Sequence, residues 1–252
     1  ALRSLSLANN SLSGPLPPEW GSLSSLVSLD VQRNNLTGTL PASWAGLASL
    51  TTARLNLNRL RGELPGAWGR GLGALSALDL SQNYYIRGPL PPDWRGLGNL
   101  TQLYVWGTGV SGSLPPEWGD GSAFRELQYL SLHNNTLEGR LPPSWFAADA
   151  FPRLRYLTLE QNRLVGSLPN VSASALLDSG GTVTLDPQRP GAGLCGPIPD
   201  GFPATDTATG QPLYEFGRAC PRGEVAGSNV LPGVRGLSGG AVAGVAVGAA
   251  AG

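Results

Sequence analysis

The sequence has no lysine, and this absence excludes several kinds of enzyme. All 17 basic residues of the 252-residue chain are arginines. P-loop, Schiff-base and protein-kinase chemistry that needs a lysine is therefore excluded within this segment. The 17 acidic residues balance the arginines, so no surplus of charge favours nucleic acid or an anionic surface. We expect no nucleic-acid partner.

Methionine, histidine and cysteine are scarce as well. There is no Met, a single His (His133) and two Cys (Cys195 and Cys220). Residue 1 is not a translation start, so we expect a fragment or a processed chain. One histidine and dispersed acidic residues make no metal-ligand cluster, and no G-x-S-x-G motif occurs. We expect no catalytic residue, metal or cofactor here.

Two matches to G-x-G-x-x-G, at residues 107–112 and 191–196, do not indicate a nucleotide site. A dinucleotide-binding turn must open a helix, because the pyrophosphate is bound by the free N–H groups of the helix N-terminus. The first match runs into Pro115 and Pro116, and the second into Pro197. Proline at these positions prevents a regular helix from following.

Glycine and proline, by contrast, are abundant, at 36 and 22 residues, and the chain is repetitive. Aligned on leucine, seven repeats start at residues 2, 26, 50, 75, 100, 127 and 154 and share the pattern L-x-x-L-x-L-x-x-N-x-L-x-G-x-L-P-x-x-W. The part x-x-L-x-L-x predicts a short strand, and stacked copies predict a parallel sheet. The L-P step disfavours helix and predicts extended chain or a second short strand on the back of each coil.

Three columns of the repeat predict structural roles. Asparagine can satisfy backbone groups where the chain leaves the strand, glycine permits a tight bend, and tryptophan can form a spine between coils. Repeat five has Thr108 in place of the asparagine. The asparagines are Asn10, Asn34, Asn58, Asn83, Asn135 and Asn162; the glycines are Gly14, Gly38, Gly62, Gly88, Gly112, Gly139 and Gly166; the tryptophans are Trp20, Trp44, Trp68, Trp94, Trp118 and Trp145.

Residues 1–175 resemble the plant-type leucine-rich repeat of extracellular receptor-like proteins and receptor kinases. The seven copies differ from that pattern in having Leu before the Pro, and Trp where Leu is more usual. The resemblance implies a leucine-rich-repeat solenoid, a right-handed horseshoe or superhelix. Its parallel sheet lines the concave face, and its convex side is mostly irregular, short-strand or 3-10 structure.

The repeat decays after residue 169, and residues 176–221 resemble the C-terminal cap of that family. "GTVTLD" at 181–186 is a candidate last strand, and "GAGLCGPIP" at 191–199 is similar to the cap motif. The resemblance implies a disulfide between Cys195 and Cys220. The family's N-terminal cap, with its own cysteine pair, has no counterpart here, which implies truncation of the repeats at that end as well.

The last 17 residues, 236–252, carry no charge and have glycine at every fourth position. We interpret them as the start of a transmembrane helix with a small-residue face, preceded by a juxtamembrane linker at 222–235. As a helix they would span only about 25 Å at about 1.5 Å per residue, so a spanning helix must continue beyond residue 252. A flexible Gly/Ala tail is the alternative.

Five N-x-S/T sequons predict a glycosylated, secreted surface. Part of this number is inherent in the repeat, where polar residues follow the asparagine. The acceptor residues are Asn9, Asn35, Asn99, Asn134 and Asn170.

The outward-facing strand positions change in character along the chain. They are small or polar in the first repeats and become aromatic in repeats five to seven. Exposed aromatic residues on a sheet are enriched at recognition sites, although they also pack against one another across strands. We predict a ligand surface on the concave face, which a glycan at Asn134 would narrow. Its residues are Tyr104, Trp106, Tyr129, His133, Tyr156, Glu160, Arg54 and Asp79.

Two functional hypotheses follow. The first is the ligand-binding ectodomain of a single-pass receptor-like protein at the plasma membrane, with its repeats outside the cell. It would bind a peptide, glycan or protein ligand, with a co-receptor as a further partner, and it leaves a kinase domain beyond residue 252 open. The second is a secreted or wall-associated inhibitor or scaffold without a signalling role.

Overall fold

The computed structural model describes residues 2–169, 182–185, 188–189 and 192–195. In these residues each of the seven repeats contributes one strand to a long sheet and one strand to a second sheet system, and each of the first six also contributes one short helical turn. The predicted solenoid of leucine-rich repeats is confirmed, with parallel strands stacked in sequence order.

The long sheet has eight parallel strands, one from each successive coil. Each strand pairs in register with the next, so equivalent residues of neighbouring repeats lie side by side. The central residue of each strand points inward and its two neighbours point outward. The strands are β1 Ser4–Ser6, β3 Ser28–Asp30, β5 Thr52–Arg54, β7 Ala77–Asp79, β9 Gln102–Tyr104, β11 Tyr129–Ser131, β13 Tyr156–Thr158 and β15 Thr182–Thr184.

A second set of parallel strands follows the first on each coil, but these strands end before the L-P step, where the sequence had placed them, and in the first six repeats the L-P step leads into a helical turn instead. Six of them form one sheet and two form a small sheet, with a bridge from Thr39 to Arg61 between them. We call this set the second sheet. Its strands are β2 Ser13–Pro15, β4 Asn35–Thr37, β6 Arg61–Gly62, β8 Tyr85–Pro89, β10 Gly109–Gly112, β12 Thr136–Gly139, β14 Arg163–Ser167 and β16 Gly193–Cys195.

Short helical turns complete the coils. Five are 3-10 helices and one, α1, is a single α-helical turn. Each turn begins only after the L-P-P or L-P step. Residues 109–112, within the first G-x-G-x-x-G match, form β10, so no helix begins directly at that match. The 3-10 helices are Pro18–Ser22, Ala42–Gly46, Pro92–Gly96, Pro116–Gly119 and Pro143–Phe146, and α1 is Trp68–Gly71.

The tryptophans form the predicted spine. Successive rings stack with centroids 6.0–6.5 Å apart and interplanar angles of 2–14°. From Trp44 onward each indole Nε1 donates a hydrogen bond to a proline carbonyl of the preceding coil, as Trp94 does to Pro65 at 2.9 Å. The spine therefore joins neighbouring coils by both ring burial and a hydrogen bond.

From Asn34 onward the asparagines form a ladder that joins each of their coils to the one before it. The Nδ2 group of Asn58 donates to the carbonyls of Val31 and Leu55 at 3.0 and 3.1 Å, and its Oδ1 accepts from Leu36 N at 3.0 Å. Asn34, Asn83, Asn135 and Asn162 make equivalent bonds.

Repeat five departs from the ladder at Thr108. The Thr108 hydroxyl lies 2.7 Å from Asn135 Oδ1 and 3.1 Å from the carbonyl of Val105, and it does not reach the preceding coil. There Ile86 N donates instead to the backbone carbonyl of Asn83, at 3.0 Å. The ladder is therefore interrupted between repeats four and five.

Candidate functional site

The outward face of the long sheet presents three rows of side chains, because the strands pair in register. The first two rows come from the ends of each strand, and the third lies two residues further along the chain. In repeats five to seven and the strand after them, the first row is Gln102, Tyr129, Tyr156 and Thr182; the second is Tyr104, Ser131, Thr158 and Thr184; the third begins with Trp106, His133 and Glu160.

In the first row, Tyr129 and Tyr156 stack on each other. Their ring centroids are 4.9 Å apart and their planes differ by 7°. Tyr156 keeps 46% of its surface exposed, whereas Tyr129 is half-buried. Because each ring covers one face of the other, a ligand would meet their edges, their hydroxyl groups and the outer face of each ring.

In the third row, Trp106 and His133 form a second stack, with centroids 5.0 Å apart and planes 10° from parallel. The His133 Nδ1 atom lies 2.9 Å from Ser131 Oγ and 3.1 Å from Thr158 Oγ1, and these two hydroxyls are 2.8 Å apart. Two aromatic walls therefore flank a row of hydroxyl groups. The backbone positions of the first and third rows are four residues of extended chain apart, about 13 Å.

Tyr104 closes this channel at one end, in the second row. Burial raises the pKa of its hydroxyl above the ordinary value, and the neighbouring Tyr129 and Asp79 raise it further. The hydroxyl is consequently neutral at physiological pH and able to donate a hydrogen bond.

The predicted charged residues lie on the same face. Asp79 is the register partner of Tyr104, and Arg54 is that of Asp79. Arg54 also lies 3.6 Å from Asp30. Burial raises the pKa of the Asp79 carboxyl, an effect opposed by its hydrogen bonds from Ser81 and by the charge of Arg54.

Glu160, the last of the predicted residues, lies beyond His133 in the third row. Its Oε2 atom accepts a hydrogen bond of 2.5 Å from Thr184 Oγ1. The structure thus brings all eight predicted residues onto one continuous face, with Arg54 and Asp79 toward its N-terminal side. Their role in binding stays a prediction.

Ser131 and His133 have the separation of a nucleophile and its base, but the surroundings do not suit catalysis. Ser131 is only 7% exposed, and its hydroxyl is shared with Thr158. A substrate carbonyl has no access to that oxygen, and nucleophilic catalysis needs such access. Among residues 2–169 and the shorter described segments, no group of three or more His, Cys, Asp and Glu side chains is placed to hold a metal ion.

We expect His133 to make stability depend on pH. Burial lowers the pKa of its imidazole, and Glu160 opposes that shift. Since the folded-state pKa lies below the unfolded value of about 6.5, the unfolded chain binds more protons between the two values. The contribution of the neutral ring is therefore complete above about pH 6.5 and is lost as the pH falls through the folded-state value.

Urea unfolding of the wild-type chain and of His133→Gln at pH 7.5, 6.5 and 5.5 measures this contribution. We expect the wild type to lose more stability on acidification than the variant does, because all other titrating groups are common to both. Parallel pH profiles for the two proteins would contradict the expectation.

The other predicted site residues have varied surroundings. Asn9 and Asn99 are exposed and Asn35 is half-buried in β4, while Asn134 Oδ1 accepts a hydrogen bond from Arg189 Nη2 at 3.0 Å. Cys195 is buried at the end of β16. Asn170, Cys220, the linker and residues 236–252 lie outside the described residues. Glycosylation and the disulfide stay predictions, and no helix in the described residues is long and apolar enough to cross a membrane.

One surface feature was missed by the sequence reasoning. In repeat four the bend glycine Gly88 lies five positions after Asn83, whereas in the other repeats the bend glycine lies four positions after the equivalent residue. This extra residue lies where the ladder is interrupted, and it leaves Tyr84 and Tyr85 exposed at 59% and 56%. The altered spacing was the signal that could have revealed it.

Comparisons with known proteins agree with the repeat fold. A sequence model described as Leucine Rich Repeat matches residues 1–23, 25–47 and 126–147. A comparison with curated proteins finds no match.

Three solved structures are similar to the chain, each over 79% of its length. The plant peptide hormone receptor RGFR1 in complex with RGF2 is 30% identical, with a TM-score of 0.68 over 30% of that chain. The ectodomain of the receptor kinase GASSHO1/SCHENGEN3 from Arabidopsis thaliana, in complex with CASPARIAN STRIP INTEGRITY FACTOR 2, is 31% identical, with a TM-score of 0.67 over 22% of that chain. A plant ice-binding protein is 25% identical, with a TM-score of 0.52 over 67% of that chain.

The chain thus spans less than a third of the two receptor structures. Its repeat pattern, its paired sheet systems and these similarities agree on one class of protein. The chain has a leucine-rich-repeat solenoid that is similar to the solenoids of plant receptor ectodomains.

Proposed function

We propose that this chain is the ligand-binding ectodomain of a single-pass plant receptor-like protein and that it binds a peptide or protein ligand on the outward face of β9, β11 and β13. The channel between the Tyr129–Tyr156 stack and the Trp106–His133 stack is the observation that carries the proposal. The two receptor structures support it, since their descriptions name a peptide hormone receptor bound to RGF2 and a receptor kinase bound to an integrity factor.

The chemistry of the channel suits an extended peptide. The two stacks rise from backbone positions about 13 Å apart, and an extended chain would run between them. Serine and threonine hydroxyls both donate and accept, so the half-buried Thr158 can serve backbone N–H and C=O groups alike. The aromatic walls offer large contact area at a low cost in side-chain entropy. Tyr104, Asp79 and Arg54 would contact the ligand where it leaves the channel.

Signalling would then require a second protein and a membrane anchor. We propose a co-receptor that associates with the liganded ectodomain at the extracellular side of the plasma membrane, with residues 236–252 as the start of the anchor. The described residues have no catalytic role in this proposal. A glycan on Asn134, two residues after Leu132 and next to His133, would border the channel and limit ligands to slender chains.

A binding screen tests the proposal. Immobilised wild-type chain is incubated with a pool of secreted plant peptides and, separately, with a pool of cell-wall oligosaccharides. Retained molecules are identified by mass spectrometry and retested on two variants. One carries Trp106→Ala, Tyr129→Ala and Tyr156→Ala; the matched control carries Ser28→Ala and Thr52→Ala, on the same face in repeats two and three.

We expect a peptide to be retained, with binding reduced by at least about 30-fold in the aromatic variant and unchanged in the control. If only oligosaccharides are retained, the ligand is a glycan and not a peptide. Equal losses of binding in both variants would show that the channel is not the binding site.

A second candidate function is a secreted or wall-associated protein without a signalling role. The similarity to a plant ice-binding protein favours it, because that description names no receptor. The transcript beyond the codon for residue 252 distinguishes the two candidates. A completed apolar span with a cytoplasmic segment supports the receptor, and a stop codon within a few residues supports the secreted protein.

A further inference from the structure

A group of arginines and tyrosines lies on the second sheet, away from the channel. Arg61 on β6 is the register partner of Tyr85 on β8, and Arg87 lies two residues further along β8, on the same side. Arg59 precedes Arg61 by two residues. Together with Tyr84, these four residues define what we call the Arg–Tyr patch. All five side chains are exposed.

The patch is positively charged and without ion pairs. In the described residues, the ion pairs given by the structure are Arg54–Asp30, Arg95–Asp120 and Arg153–Glu126, and none includes an arginine of the patch. Their guanidinium groups make no side-chain hydrogen bond to another described residue either. The carboxylate of Glu63, whose side chain lies beside Gly88, is at its edge, so the three arginines and Glu63 together carry a net charge of +2.

The neighbouring strand packs closely against this patch. Gly109 on β10 is the register partner of Arg87, and a Cβ at Gly109 would lie 3.5 Å from Arg87 Cγ. The stem of Arg87 thus lies over a position that has no side chain. The extra residue of repeat four turns Tyr84 and Tyr85 into solvent beside it.

We propose that the Arg–Tyr patch docks an extended, acidic segment of a partner protein. Tyrosine and arginine are among the residue types that contribute most to protein interfaces, and the arginines here have no ion-pair partner. Arg59 and Arg61, and likewise Tyr85 and Arg87, are two residues apart on extended chain, about 6.8 Å. Alternate side chains of an extended partner have the same spacing, so carboxylates at every second residue can meet successive arginines. This surface is separate from the ligand channel and does not depend on the proposed function.

The test measures binding of labelled probes to the 252-residue chain by fluorescence anisotropy. The first probe is a peptide of five Glu-Thr repeats, which places a carboxylate at every second residue; the second is a galacturonic acid decamer. The variants are Arg61→Gln with Arg87→Gln, and Tyr84→Ser with Tyr85→Ser. The charge-matched control is Arg3→Gln with Arg70→Gln, two exposed arginines outside the patch.

We expect the peptide to bind, and the arginine variant to weaken binding by about two- to thirtyfold at low salt, the range for two exposed charge pairs. The loss should shrink at about 0.5 M salt because of screening, whereas the loss caused by the tyrosine variant should persist. Equal effects of the patch and control arginines, a preference for the galacturonic acid probe, or no peptide binding would each overturn the proposal.

Discussion

Replacement of Trp94 by alanine is expected to lower the free energy of unfolding by about 3–5 kcal/mol, as for other fully buried aromatic residues. Trp94 is completely buried and stacks between Trp68 and Trp118, with centroids 6.3 and 6.5 Å away. The change leaves a cavity between three coils and removes the hydrogen bond to the Pro65 carbonyl. Each coil buries its faces only against its neighbours. The loss of the Trp94 contacts should therefore uncouple the two halves of the solenoid, so that they unfold in separate transitions.

The matched control is Trp20→Ala, at the start of the spine. Trp20 is only half-buried and stacks on a single neighbour, Trp44. We expect the free energy of unfolding to fall by less than half as much as in Trp94→Ala. Urea unfolding, monitored by circular dichroism, should show no second transition. If the two variants were equally destabilised, the spine would not be the element that joins the coils.

Asn135→Ala is expected to cost about 3 kcal/mol or more. Asn135 is fully buried; its Nδ2 donates to the carbonyls of Val105 and Leu132, and its Oδ1 accepts from Thr108 N and lies 2.7 Å from the Thr108 hydroxyl. Alanine would leave these buried groups unpaired, at a cost of about 1–3 kcal/mol each where water cannot reach them. The effect should be larger than elsewhere in the ladder, because Thr108 has no amide of its own to compensate.

Asn10→Ala provides the comparison, since Asn10 is exposed and bonds only to carbonyls of its own coil, Leu7 and Ala8. We expect it to cost less than about 1 kcal/mol. Urea unfolding and amide exchange at Val110, just after Thr108, would report the difference. A small effect of Asn135→Ala on both measurements would mean that water replaces the lost bonds and that the ladder is not a buried network.

Much of the fold follows from the repeat because a residue that recurs at one position must occupy equivalent surroundings in every coil. The tryptophan column, the asparagine column and the bend glycines were all predicted in this way, and Gly112 has the left-handed φ of 75° that a bend requires. Thr108 was also visible in the sequence, as an exception to the asparagine column. These features depend on sequence position alone.

Other features depend on side-chain conformation or on distant contacts, which spacing does not specify. The aromatic column predicted that Trp106 and His133 face outward, but not that they stack on each other. Likewise, Arg189 reaches Asn134 across 55 residues of sequence. The exposed Tyr84 and Tyr85 come from a single extra residue within a repeat, which an alignment on the repeat starts does not reveal.

The central claim is that ligand recognition lies on the channel of the long sheet, and paired tyrosine variants test it most directly. Once a ligand has been identified, its dissociation constant is measured on the wild type, on Tyr129→Ser with Tyr156→Ser, and on Tyr84→Ser with Tyr85→Ser. The two variants remove the same groups from the two different sheets. The account predicts a loss of at least about 30-fold for the first pair and less than about twofold for the second. A loss confined to the second pair would contradict it.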